Sequence, residues 1–345
     1  MSRLKSIHIE YANFICHFGD NVFLDKYASV FFPAITSDRK RVHSGATYCL
    51  NSLRHLEVET EEGQTDFFLY GKIVKDFTYH REQLLDKDGT IKPNSASLRD
   101  SPTSTFILSL KDHRLYFIKE FQLAPTMEQL KLLFEKLIND FIDDFIQEEY
   151  EAKKERSRET GGRIRATTKK ALKASHPKPI IKLIRQSSPE GIDEFVNSIK
   201  TIDKIELTFN RTNHESDFLP LFESVRDTGE HLGNGTTKKL VYKSSKGSLN
   251  HEGVADLAKA STRDNNSGFV IQGKGMDGES VKGSEVDFAV KVPLKELYSV
   301  PEVLARKAYK SYWEKVRDGF IKEPIMKDAE KVKQKILQIM ELLKK

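Results

Sequence analysis

Ser104–Phe121 reads STFILSLKDHRLYFIKEF, and this stretch decides the fold. Two apolar runs, Ser104–Leu110 and Leu115–Phe121, are joined by the polar Lys111-Asp112-His113-Arg114, which is the pattern of an antiparallel hairpin. Ala124-Pro125-Thr126 then offers a helix start. Thr126 is a suitable N-cap, and Glu128 puts a carboxylate in the first turn, where the helix dipole favours it. Apolar residues recur from there as Leu130, Leu133, Phe134, Leu137, Ile138, Phe141, Ile142, Phe145 and Ile146, a stripe of about five helical turns. Its other face is acidic, with Asp140, Asp143, Asp144, Glu148 and Glu149. A hairpin feeding a long amphipathic helix predicts an α+β domain.

Working outward, the N-terminal side predicts a strand over Leu4–Ile15, a helix over Asn21–Ile35 that stops at Pro33, and strands near Ala46–Leu50, His55–Glu59 and Phe67–Lys75. Leu84–Asp100 is polar and turn-rich and reads as a loop. On the C-terminal side, Ile202–Arg211 reads as a strand and Ser216 as the cap of a helix ending at Gly229. A short strand over Lys239–Tyr242 and a helix over His251–Ala260 follow. Phe269–Gln272 and Val286–Val292 are expected to flank a glycine-rich turn, and two helices, Val300 to Phe320 and Asp328 to Leu343, close the chain.

Between the halves lies a change of character. Residues 1–150 hold 18 Lys and Arg against 23 Asp and Glu, whereas residues 151–345 hold 38 against 28. Residues 151–185 alone carry 12 cations and three glutamates, interrupted by Gly161-Gly162, Thr167-Thr168, Pro177 and Pro179. This segment reads as a linker or extended arm. The expected architecture is therefore α+β with two domains of mixed or antiparallel sheets: 1–150, a basic linker at 151–185, and 186–345 with a helical C-terminus.

The function this predicts is sequence-nonspecific binding of nucleic acid, DNA ahead of RNA, through the phosphates. Lysines and arginines along a flexible stretch neutralise phosphates and release counterions without base-specific geometry. The candidate contacts are Lys153, Lys154, Arg156, Arg158, Arg163, Arg165, Lys169, Lys170 and Lys173. In the closing helices they are Arg306, Lys310, Arg317, Lys331 and Lys335. The bland alternative is a solubilising segment that meets the acidic face of the long helix, in the same molecule or in a neighbouring copy. Only His176 is aromatic within 151–185, so base stacking has little support.

Enzymatic readings are weaker. Gln272–Glu279 is glycine-rich but lacks GxxxxGK[ST] and does not run into a helix, so it reads as a hairpin turn rather than a phosphate cradle. Asp203 and Glu206 on one strand, with Glu285, Asp287 and Lys291 on another, do not reproduce the E-x-K spacing of metal-dependent nucleases, although such a nuclease stays open as an alternative. No HExxH pair and no G-x-S-x-G occur, and no catalytic residue, metal or cofactor is assigned. Cys16 and Cys49 read as small hydrophobes in a reducing compartment, with the cytoplasm expected and no membrane insertion. A further alternative is a regulatory protein whose acidic and basic halves drive self-assembly.

Phe106, Leu108, Leu115, Phe117, Phe121, Pro125, Thr126 and Leu130 stand in an order that resembles the RexA-type phage-exclusion proteins and related uncharacterised bacterial anti-phage proteins. The resemblance implies a homodimer or higher homo-oligomer that binds DNA in antiviral defence, with room for a partner defence protein. It carries over no catalytic residue. This chain departs from the family in its greater length, its basic segment and its longer helical end.

Overall fold

A central strand, β1 (Ile7–Phe18), is buried along almost its whole length, and the first sheet is assembled around it. The computed structural model describes residues 7–59, 63, 65–160, 167–213, 220–231, 238–263, 266–321 and 323–343. Along the chain β1 is followed by β2 (Asn21–Val22), a 3-10 turn (Phe23–Lys26), a π-helical turn (Tyr27–Phe31) and α1 (Phe32–Thr36). Next come β3 (Arg41–His43), β4 (Ala46–Glu59), β5 (Thr65–Leu85), β6 (Ile91–Asp100), β7 (Thr103–Ser109), β8 (Arg114–Lys119), α2 (Met127–Glu159), α3 (Lys169–Ser175) and β9 (Ile180–Arg185). The chain continues through α4 (Pro189–Ser198), β10 (Thr201–Phe209), α5 (Pro220–His231), β11 (Lys238–Lys243), α6 (His251–Arg263), β12 (Ser267–Lys274) and β13 (Ser280–Ser284). It closes with β14 (Lys291–Leu294), α7 (Pro301–Arg317) and α8 (Ala329–Leu343).

The class is α+β, with two antiparallel sheets. The first runs β14-β1-β8-β7-β5-β4-β3, with β2 and β9 also on β1 and β6 on β5; the second runs β11-β10-β12-β13. The decisive hairpin forms as read, with Phe106 opposite Phe117 and Leu108 opposite Leu115. Thr126 caps α2: its hydroxyl accepts from Gln129 N–H, and the Gln129 side chain accepts from Thr126 N–H in return. Both faces of the first sheet are covered, so β1 is buried on both sides from Tyr11 to Phe18, Asn13 and His17 included. Ala12, Phe14, Cys16 and Phe18 face α1, α2 and α8, whereas Ile9 and Tyr11 face α7.

Four expectations change. The segment 151–185 is not an extended arm in its described parts: α2 continues to Glu159, α3 packs back on it, and β9 pairs with β1 from Ala12 to His17. The apolar Ile180, Ile181, Leu183 and Ile184 are a strand signal that the surrounding charge obscures. Residues 84–100 form a hairpin rather than a loop, because β5 runs on to Leu85 and β6 pairs with it. The helix expected over Asn21–Ile35 is divided into short turns, and Pro33 opens α1, where its fixed φ and missing N–H are tolerated. The strand expected over Val286–Val292 is displaced: β13 pairs with β12, and β14 joins the first sheet.

The division into domains also changes. β9, β14, α7 and α8 all complete the sheet begun by residues 1–150. The second sheet with α4, α5 and α6 is an insertion between β9 and β14, and its core shares no residue with the other two clusters. The insertion leaves and returns through a paired neck. Val290 N–H donates to Gln186 C=O at 2.7 Å, Ser188 N–H donates to Phe288 C=O at 2.8 Å, and Ser187 bridges Ala289. Entry and exit lying side by side is the geometry that lets one domain interrupt another. No helix among the described residues is long and apolar enough to cross a membrane.

Candidate nucleic-acid interface

Lys153, Lys154, Arg156 and Arg158 lie in the last turns of α2, Lys169, Lys170 and Lys173 lie on α3, which packs against α2, and Lys182 and Arg185 lie on β9. Four acids in the middle of α2 are ion-paired, two of them by cations of 151–185 itself: Asp140 by Lys136 (2.7 Å), Asp143 by Lys178 (2.7 Å), Asp144 by Arg39 (2.6 Å) and Glu149 by Lys153 (2.8 Å). Beyond that middle, Lys154 lies over the Tyr150 ring and 4.0 Å from Glu151, and Lys169 donates to Gln147 Oε1 at 2.6 Å while also lying over Tyr150. Arg156, Arg158, Lys170 and Lys173 are exposed and make no ion pair among the described residues. Arg156 and Arg158 sit in the last turn of α2, where the helix dipole favours positive charge. Arg163 and Arg165 lie outside the described residues. The end of α2 therefore carries Lys153, Lys154, Arg156 and Arg158 among Glu151, Glu155 and Glu159, and α3 adds Lys169, Lys170 and Lys173 with no acid of its own.

The closing helices do not join this surface as one. α7 packs on the sheet face that holds Ile9 and Tyr11, and α8 packs on the face that holds Phe14 and α2. Arg306, Lys310 and Arg317 are exposed on α7 and Lys331 on α8. Lys335 is tied to Asp25 at 2.5 Å. The apolar sides of the two helices fix them on opposite faces, so their cations cannot line a single groove.

A second cationic surface was not legible in the charge count. All the helices that build the insertion core lie on one face of its sheet, and the other face is open. Lys243, Lys204, Gln272 and Lys282 form a continuous row across its four strands. The next row is Val241, Glu206, Val270 and Ser284, and Lys239 lies opposite Thr208 beyond it. Like charges placed directly opposite one another, as Lys204 and Lys243 are, cost stability in a sheet. Glu206 offsets this by binding Lys239 at 2.5 Å and Lys204 at 2.9 Å, and these hydrogen bonds pull its carboxyl down to about 2. The sequence signal was the alternation Lys239, Val241, Lys243. It was obscured because residues 186–299 carry 14 Lys and Arg against 18 Asp and Glu overall.

The carboxylates weighed for a nuclease are held in structural contacts. Glu285 lies under the insertion sheet with one oxygen accepting from Phe269 N–H at 3.2 Å, and burial raises its pKa. Asp287 accepts from Ser284 N–H and Oγ and closes a turn. Among the described residues no group of three or more His, Cys, Asp and Glu gathers to hold a metal. The glycine-rich stretch is a hairpin turn, with Gly278 at φ +85° and its N–H donating to Gly275 C=O.

No protein-family model matches the chain, and none of the curated proteins matches it.

Proposed function

We propose that this protein binds nucleic acid through backbone phosphates, without base-specific contacts, and that the tip of the α2–α3 pair is the principal contact. The observation that supports the reading is that Arg156, Arg158, Lys170 and Lys173 are exposed and make no ion pair among the described residues, with only Glu155 and Glu159 as exposed acids in the last turn of α2 and none on α3. Cations carried on helices give up little backbone freedom on meeting a phosphate track, and counterion release drives their binding. The lysine row of the insertion sheet is a second contact of the same chemistry. Its face offers Val241 and Val270 rather than aromatic rings, so it suits phosphates better than stacked bases.

Preference for DNA, and a place in antiviral defence, rest on the RexA-type resemblance. Of the residues that carry it, Phe106, Leu108, Leu115, Phe117 and Leu130 are core and Thr126 is a helix cap, whereas Phe121 is exposed. They add no contact residue.

The test is a titration of duplex DNA, single-stranded DNA and RNA over a range of salt. Replacing Arg156, Arg158, Lys170 and Lys173 by Ala should weaken binding to every sequence. The salt slope should fall by roughly 0.9 for each duplex phosphate that is no longer neutralised. Wild-type protein that shows no binding at low salt, or an affinity indifferent to salt, would sink the reading.

A further inference from the structure

The hairpin made by the end of β5 and by β6 projects beyond the covered part of the first sheet, and every residue from Thr78 to Asp100 is exposed or half-buried. Its two faces differ. On the face continuous with Phe77, which packs at the margin of the core under α2, the cross-strand rows are Tyr79 with Leu98, Arg81 with Ala96, Gln83 with Pro93, and Leu85 with Ile91. Tyr79, Leu85, Ile91 and Leu98 are 61–69% exposed. The opposite face holds Thr78, His80, Glu82, Arg99, Ser97 and Lys92, with Leu84 as its one large apolar residue. A two-stranded ribbon is marginal in water by itself, and a face with exposed apolar pairs at both ends and Arg81 and Gln83 between them is what a third layer would cover.

We propose that a second copy of this chain covers it, the apolar faces of two such arms packing on each other about a two-fold axis. Area argues for this occupant. At roughly 180 Å² for a fully exposed large side chain, the four residues present roughly 500 Å² per copy. Two identical faces then bury roughly 1,000 Å², the lower bound of a specific interface, whereas a polar partner would leave the apolar area unmatched. Charge argues the same way. Residues 78–100 carry four cations and four anions, and on the polar side Arg99 is paired with Asp76 at 2.7 Å and Lys92 with Asp86 at 2.7 Å. The arm therefore has no net charge to attract a polyanion, and Arg81, the one cation on the packing face, is held by the Asn94 side-chain carbonyl. The turn Asp86-Lys87-Asp88 keeps the tip charged and unsuited to entering a lipid layer tip-first. Pro93 and the register shift between Arg81 and Gln83 interrupt the outer edge of β6, so the contact is face to face rather than strand to strand. An isologous contact of this kind closes on itself as a dimer.

Sedimentation equilibrium on the full chain, without nucleic acid, tests this. Wild type should be a dimer at micromolar concentration. Leu98→Asp, and separately Leu85→Asp with Ile91→Asp, should raise the dimer dissociation constant by about 100-fold or more, while His80→Asp on the polar face leaves it unchanged. A chain whose residues 80–97 are replaced by a short Gly-Asn turn checks folding independently: it should be monomeric, with the circular dichroism and melting of a folded protein. Wild type that stays monomeric, a dimer that survives both apolar-face changes, or a monomer that co-sediments with neutral phosphatidylcholine vesicles through this face would each overturn the proposal.

Discussion

Three asparagines tie the insertion to β1. Asn13 Nδ2 donates to Asn266 Oδ1 at 3.0 Å, and Asn213 both accepts from Cys16 N–H at 3.1 Å and donates to Phe14 C=O at 2.7 Å. Asn213 thereby serves the edge of β1 just past the point where β8 ends, in place of a strand. Asn213→Ala should strand a buried donor and a buried acceptor and lower stability by about 1–3 kcal/mol, read as a urea midpoint shift with little change in slope. His55 supplies a pH dependence. Burial pushes its pKa down to about 4, and Tyr27 Oη lies 2.7 Å from its Nε2. The unfolded imidazole takes a proton near pH 6.5, so the unfolded chain gains protons first as pH falls. Stability should decline from about pH 6.5 towards pH 4 and lose nothing further through this residue below that. His55→Gln should remove that part of the slope, visible as a shrinking difference between variant and wild-type urea midpoints as the pH is lowered.

At the scale of elements, α2 was readable because its stripe and its cap agree, and both appear in the structure, although the helix runs on to Glu159 into what reads as a linker. β9 was hidden for the opposite reason: its short apolar run is embedded among the cations of 151–185, and pairing with β1 completes it as a strand. The same holds for β6, whose ten residues are all exposed and whose partner is the continuation of β5. Close packing within the first sheet shows at Gly71, where an added Cβ would stand 2.6 Å from Leu53 Cδ2 and Phe106 Cζ. Gly71→Ala should cost about 1–3 kcal/mol by overpacking, measured by thermal melting. For the insertion sheet, Glu206→Gln should release Lys204 and Lys239 from their carboxylate. The expected outcome is several-fold tighter nucleic-acid binding at low salt with a steeper salt slope; unchanged binding would remove the lysine row from the contact surface.

At the scale of the whole molecule, the insertion is the organising feature. Its core is separate, and its neck already pairs 186–188 with 288–290, so the remaining chain retains both of its own cores. Replacing residues 189–287 by a short turn should leave a folded antiparallel protein, of lower stability for want of the asparagine contacts. Nucleic-acid binding at the α2–α3 tip should persist with a reduced salt slope. Circular dichroism and the same titration would show both; an unfolded product would mean that the two parts do not fold independently. By itself the sequence determined the hairpin, the long capped helix, the α+β class and the presence of a concentrated basic segment, because each is written in local periodicity and charge. Only the tertiary structure decided that β9 and β14 share β1, that α7 and α8 cover opposite faces, and that three lysines align across an open sheet. Those are pairings between residues far apart in the chain, set by which buried faces and backbone edges fit together, and local pattern does not encode them.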